Sequence, residues 1–262
     1  MAYLARLLAE DGYEVRTWGV PGEHDTGRPG TVTEASRVIL PAPLEKDGRL
    51  NGTPLTLGEL WPRMRPGTPV YAGAVPQNAF ESARERGIPL FDYLADEALA
   101  VRNAVPTAEG AIALAMEKLN VTLHGTACLV MGFGRIGKLL AHGLRAFGAN
   151  VYVSARRGGD LAWAEALGYE PLHTRRLSGK LGGMRVVFNT VPHLILTEEL
   201  LRELPRECVL IELASVPGID EAAAQRLGFD YSRAGGLPGK VAPESAARAI
   251  RDTLYGMWRE EK

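Results

Sequence analysis

Cysteine is scarce in this chain. Only Cys128 and Cys208 occur in 262 residues, each inside an apolar run, and neither stands in CxxC or His-spaced order. That excludes a disulfide framework and a metal site, and reads as buried thiols in a reducing compartment. Also missing are the roughly 20 consecutive apolar residues of a membrane span. The opening, Met1 to Glu10, is a short helical pattern broken by Arg6 and Glu10 and not a signal peptide. A cytoplasmic protein is expected. With a formal net charge of −1 and no basic stripe, neither nucleic acid nor an anionic membrane is the expected partner, which leaves a small molecule. Trp18, Trp61, Trp163 and Trp258 form no spaced stacking pattern and read as core or interface residues. There is no fixed-period repeat.

What is present is apolar residues, 46% of the chain, enough to give two modest domains a core each. Short apolar runs alternate with helical patterns in the first hundred residues. Strands are expected at Glu14–Val20, Val38–Leu40, Pro69–Ala74 and Pro89–Phe91, with helices near Leu57–Met64 and Gln77–Arg86. The helix at Ala2–Asp11 leads into a strand without following one, although right-handed crossovers begin from a strand. The expectation is that a first strand and its loop are missing, through a start placed too late or a lost element. Pro106 reads as an early position of a long helix after Asn103, with Ala111, Ile112, Leu114, Ala115 and Leu119 as its apolar stripe. This helix is expected to join the two domains.

Beyond it, Gly132-Phe-Gly134-Arg-Ile-Gly137 stands between the strand-like Ala127–Met131 and the amphipathic Arg135–Phe147, and a second strand ends at Ser154-Ala-Arg156-Arg157. In this context the glycines signal a dinucleotide-binding unit: a tight turn, a close approach to the pyrophosphate, and close helix packing. Gly132, Gly134, Arg135, Ile136 and Gly137 are the cofactor candidates there. An NAD site usually presents an acid after the second strand. Here Ser154, Arg156 and Arg157 stand instead, which favours a 2′-phosphate and hence NADP. A helix at Leu161–Leu167, a strand at Arg185–Asn189, a helix at Thr197–Leu204 and strands at Val209–Leu213 and Asp230–Ala234 continue the alternation. A turn at Gly235–Gly239 precedes the last helix, Pro243–Arg259, expected to return to the first domain. The fold class is therefore α/β: two Rossmann-like, doubly wound parallel-sheet domains joined by a long helix. Residues 1–103, completed by 240–262, form a substrate or partner domain, and 104–239 bind NADP.

Six segments resemble the dipicolinate synthase family, specifically its A subunits, in their order and spacing from about residue 90 onward. They are Asn103–Gly110, Gly132–Gly137, Ala155–Arg157, Asn189–Thr197, Glu212–Gly218 and Gly235–Pro243. The resemblance implies oxidation of a cyclic lysine-pathway intermediate to pyridine-2,6-dicarboxylate with NADP, during sporulation and in the mother cell. It also implies that the partner is a flavoprotein-like B subunit, within an oligomer. The first ninety residues resemble the family in layout, and lack the strand and glycine turn with which its members begin. More distantly the layout is similar to D-2-hydroxyacid dehydrogenases and to the cofactor domain of adenosylhomocysteinase. Two other functions stay open: a nucleotide-binding regulatory or scaffold subunit, and an NAD(P)-dependent 2-hydroxyacid dehydrogenase, the latter disfavoured by the missing acid.

Such a reaction requires a hydride acceptor, a base and donors that hold two carboxylates. Ligands in open parallel sheets bind at the carboxyl ends of strands, so Thr190, Val191 and Pro192 are expected beside the nicotinamide, with Asn189 positioning it. His193 carries an imidazole, a side chain able to exchange protons near neutral pH, and is a candidate acid or base. Glu109 is another, although with Thr107 it equally fits the acid-rich first turn of a helix. Asn103, Thr107 and the amides of that helix start are candidates for gripping a carboxylate, as are Ser215, Lys240 and, by context, Arg102.

Overall fold

The structure is a computed structural model describing residues 1–20, 22, 24, 25 and 29–260. It divides into two compact units, Met1–Asn103 with Pro243–Lys262, and Ala104–Ala242.

The second unit is built on six parallel strands. In chain order these are β6 (Ala127–Met131), β7 (Asn150–Ala155), β8 (Glu170–His173), β9 (Val186–Asn189), β10 (Val209–Glu212) and β11 (Asp230–Arg233), in the spatial order β11-β10-β9-β6-β7-β8. The order reverses between β6 and β9, so the carboxyl ends of these two strands flank the crevice where parallel sheets bind ligands. β9 and β10 are buried at every position, as central strands covered on both faces must be. Alternate residues feed the two cores. Cys128, Val130, Val186 and Phe188 face α4 (Glu97–Lys118) and α5 (Arg135–Ala146), while Leu129, Met131, Val187 and Leu210 join Leu201, Ala223 and Ala224 on the other face. Gly143 is dictated by packing, since a Cβ there would stand 2.7 Å from Ile112 Cδ1 of α4.

The first unit has a smaller parallel sheet, ordered β1-β4-β5, from β1 (Val38–Ile39), β4 (Val70–Ala72) and β5 (Leu90–Asp92). A two-stranded antiparallel ribbon, β2 (Glu45–Lys46) and β3 (Arg49–Leu50), accompanies it. The short α2 (Leu57–Leu60) starts from a capping box in which Thr56 and Glu59 satisfy each other's backbone amides. α3 (Gln77–Arg84) lies between β4 and β5 in the chain. The amphipathic α1 (Ala2–Glu10) and the terminal α10 (Pro243–Glu260) share one core: Leu4, Leu7 and Leu8 with Ala247, Leu254 and Trp258, alongside Tyr71 and Tyr93. Tyr255 donates its hydroxyl to Asp11 Oδ2 at 2.6 Å.

Several sequence expectations change. Glu14–Val20 is not a strand: Thr17 makes one isolated bridge to Asp25, and no neighbouring strand lies beside the segment among the described residues. Extended chain becomes strand only when its backbone groups find a ladder. α4 starts at Glu97, capped by Asp96, whose Oδ1 accepts the Leu99 amide at 2.6 Å. Pro106 is thus interior to the helix and not near its start. The Gly235–Gly239 turn is partly helical, as α9 (Leu237–Val241) follows a left-handed Gly236. β8 and α8 (Glu221–Arg226) are additional elements. β8 carries Pro171, which an edge strand tolerates because one side of its backbone has no ladder.

Candidate functional site

The glycine loop joins β6 to α5, and its three glycines are demanded by different neighbours. Gly132 has φ +98, and a Cβ there would lie 2.4 Å from Thr190 Oγ1 and 2.8 Å from Val191 Cγ2. A Cβ on Gly137 would stand 2.1 Å from the Gly132 carbonyl oxygen. Gly134, the N-cap of α5, has φ −82 and nothing within 4 Å of a Cβ position. Neither strain nor any protein atom explains a glycine there. The open space beside it, at the N-terminus of a twelve-residue helix, fits a pyrophosphate approaching backbone amides closely. Arg135 is exposed and Ile136 half-buried at the start of the same helix.

Thr190 and Val191 follow β9 and wall this loop. Thr190 Oγ1 donates to the Met131 carbonyl at 2.8 Å, and the Thr190 amide donates to the same oxygen at 2.9 Å. Pro192 and His193 continue outward and are exposed. Asn189 is bonded within the protein. It is fully buried, donating from Nδ2 to the Val191 carbonyl (2.9 Å) and to Glu212 Oε1 (2.7 Å), while its Oδ1 accepts the Val191 amide at 3.1 Å. Both of its N–H bonds are thus given to the protein's own loops.

Its partner, Glu212, was quoted in a motif but given no role by sequence reasoning. At the end of β10 and 1% exposed, its carboxylate accepts four N–H donors. Oε1 takes Asn189 Nδ2 and the Ala214 amide (2.9 Å); Oε2 takes the amides of Gly218 (2.8 Å) and Ile219 (3.2 Å). Glu212 thereby clamps the 214–219 loop onto the 189–193 loop. Gly218 is the residue that permits the contact, since a Cβ there would lie 2.5 Å from Asn189 Nδ2 and 2.7 Å from the carbonyl oxygens of Val191 and His193. The available signal was an acid closing the apolar run Val-Leu-Ile-Glu. Ser215 is exposed on the clamped loop, and its carbonyl accepts from Arg233 at 2.9 Å, an exposed cation at the end of β11 that sequence reasoning passed over.

At the end of β7 the expected ribose residues separate. Arg156 and Arg157 are exposed. Ser154 is 1% exposed, its hydroxyl 2.9 Å from Thr174 Oγ1, so it ties two strand ends together and does not present itself to a ribose. The carboxylate-gripping helix start is also revised. Asn103 and Thr107 are half-buried and Glu109 exposed within α4, well past its true N-terminus, so no free helix-start amides lie there and the dipole argument passes to Glu97. Lys240 is exposed on α9. Among the described residues no group of His, Cys, Asp and Glu is arranged to hold a metal, and no helix is long and apolar enough to cross a membrane. Burial pushes the Cys128 and Cys208 thiols up to about 12, which makes them inert packing groups at neutral pH.

Residues 101–227 match the family described as D-isomer specific 2-hydroxyacid dehydrogenase, NAD binding domain. The A subunit of dipicolinate synthase from Bacillus subtilis (strain 168) is 34% identical over 185 residues, 70% of this chain. The match spans 61% of that relative's own length. Among solved structures, the A subunit of dipicolinate synthase from Bacillus halodurans is 28% identical, with a TM-score of 0.88 covering 97% of this chain and 92% of its own. Its Bacillus subtilis counterpart is 27% identical, with a TM-score of 0.84 covering 98% of this chain and 92% of its own. By sequence over most of its length and by fold over nearly all of it, this chain belongs to the family of dipicolinate synthase A subunits.

Proposed function

We propose that this chain is the NADP-dependent dehydrogenase subunit of a dipicolinate synthase, converting a hydroxylated tetrahydropyridine dicarboxylate, or its dehydrated form, to dipicolinate. The observation that carries this reading is the open space at Gly134 beside the switch point, with Arg156 and Arg157 unopposed by any acid at the end of the next strand. The matching family is described as NAD binding. The basic strand end in place of an acid supports the 2′-phosphorylated form here.

Gly132, Gly134 and Gly137 with the start of α5 would hold the pyrophosphate, and Thr190 to Pro192 would flank the nicotinamide end. When bound, the nicotinamide supplies the two-electron acceptor. Overall, loss of water and then of a hydride and a proton from the ring converts hydroxytetrahydrodipicolinate and NADP⁺ to dipicolinate, water, NADPH and a proton. His193, exposed beside the clamped loops, is the candidate to carry that proton, with Glu109 the alternative, and the cations Arg233 and Lys240 and the hydroxyl of Ser215 are candidates for the two carboxylates. The work is done in an oligomer with a second, flavoprotein-like subunit, in the cytoplasm of the sporulating mother cell.

The test is dipicolinate formation, followed by its ultraviolet absorbance, from freshly generated hydroxytetrahydrodipicolinate with NADP or NAD, with and without the second subunit. Dipicolinate and NADPH appearing together support the reading; neither appearing, although the cofactor binds, sinks it. A second reading, a nucleotide-binding regulatory subunit, draws on the internal commitment of Asn189 to Glu212. Single substitution of His193 and Glu109 separates the two: turnover unchanged in both variants assigns the chemistry to the partner.

A further inference from the structure

We propose that Arg175 and Arg176, on the turn after β8, form one 2′-phosphate site together with Arg156 and Arg157. The inference rests on the NADP reading above and adds residues that the glycine-motif rule does not reach, because that rule points only to the strand after the first helix.

β7 and β8 are parallel neighbours, with Ser154 opposite Leu172 and Ala155 opposite His173. The two strands therefore end level, and paired strands lie only about 4.8 Å apart. Two contacts fix the turns that follow. The Ser154 and Thr174 hydroxyls meet at 2.9 Å, drawing the turns together, and His173 Nδ1 accepts the Arg175 amide at 3.2 Å, folding the chain over directly after the strand. The result places Arg156-Arg157 beside Arg175-Arg176.

All four are exposed. Neither Ser154–Gly158 nor His173–Ser178 contains an acid, and none of the four is paired with a carboxylate among the described residues. Several other exposed arginines are neutralised, Arg16 by Glu14 and Glu34, Arg202 and Arg226 by Glu198, Arg248 by Glu244, whereas these four stand together without a carboxylate. Four like charges gathered without counter-ions repel one another, a cost that a bound dianion offsets. A phosphate monoester supplies about −1.5 to −2 charge and three acceptor oxygens, suited to forked guanidinium donors. Chemically the site selects a 2′-phosphorylated adenosine over one with a free 2′-hydroxyl, and the part-buried pair of Ser154 and Thr174 hydroxyls holds the two turns together.

The experiment is titration of the full-length protein with NADPH and with NADH, followed by nucleotide fluorescence, for the parent, R156A/R157A and R175A/R176A, with thermal unfolding of each as a check on folding. The expected result is that R175A/R176A weakens NADPH by about tenfold or more, the worth of one charge-assisted contact, while NADH changes by less than about twofold. NADPH affinity unchanged in R175A/R176A, but lost in R156A/R157A, overturns this inference and leaves the NADP reading standing. Equal weakening of NADPH and NADH in R175A/R176A also overturns it. A parent that binds NADH as tightly as NADPH sinks both.

Discussion

Replacing Glu212 with glutamine changes one atom of a buried clamp, and the structure sets the size of the effect. Each carboxylate oxygen accepts two N–H groups: Asn189 Nδ2 and Ala214 N on one, Gly218 N and Ile219 N on the other. A glutamine NH₂ has no lone pair to offer, so whichever way the amide is turned, two donors face another donor. Asn189 cannot adapt by flipping, because its Oδ1 already holds the Val191 amide and its Nδ2 the Val191 carbonyl. Hydrogen bonds to a charged acceptor contribute about 1.5–3 kcal/mol each. Water reaching the half-buried Ala214 recovers part of the loss. A net cost of about 3 kcal/mol lowers the melting temperature of a domain this size by about 6–12 °C. Calorimetry measures the total, and amide exchange locates it, with residues 214–219 expected to lose protection first. An E212Q protein melting within about 1 °C of the parent would refute the clamp.

Gly132→Ala and Gly134→Ala should behave oppositely. The first collides with Thr190 and Val191 at a positive φ and is expected to destabilise by about 2 kcal/mol or more. The second leaves the melting temperature unchanged and weakens dinucleotide binding at least about tenfold; a destabilised G134A that binds normally would contradict the assignment. Burial raises the Cys128 and Cys208 thiols to about 12, whereas an unfolded thiol releases its proton near 8.5. Above that pH the unfolded state holds fewer protons, so stability falls as pH rises from about 8.5 toward 12, by up to about 1.4 kcal/mol per pH unit per thiol. Urea midpoints at several alkaline pH values check this, and an equal slope in C128A/C208A would assign the loss to other groups. Tyr255→Phe removes the hydroxyl bond to Asp11 that ties α10 to the end of α1, and should cost about 1 kcal/mol in denaturant titration.

The β6-α5-β7 unit was legible because β6 is an unbroken apolar run, β7 carries the apolar stretch Val151–Val153, and the glycines between them have a fixed spacing. Pro106 misled. It suggested a helix start, while the real signal, Asp96 followed by Glu97, stood ten residues earlier, an N-cap and an acidic first turn. Pro171 hid β8, and with β8 the neighbouring arginines. Glu14–Val20 has the composition of a strand but no ladder to join, and composition cannot show that. Nor could spacing foretell that Asn189 would spend its amide on Glu212, twenty-three positions away. A candidate polar group looks alike in sequence whether it faces a ligand or another side chain. Only the register of β9 against β10, which sets Asn189 opposite Glu212, separates the cases.

The sharing of one core by α1 and α10 also sets a timetable for the nascent chain. Leu4, Leu7, Leu8, Tyr71 and Tyr93 are buried partly by Ala247, Ala249, Leu254 and Trp258, which leave the ribosome well after them. Between them lies the whole contiguous unit Ala104–Ala242, whose translation takes about 10–30 s at ordinary elongation rates. For that interval the earlier-made segment lacks the residues that complete its core. Protease added to chains stalled at Ala242 should digest the first hundred residues and spare the rest; equal resistance of both would show that the early segment closes its core without the last helix.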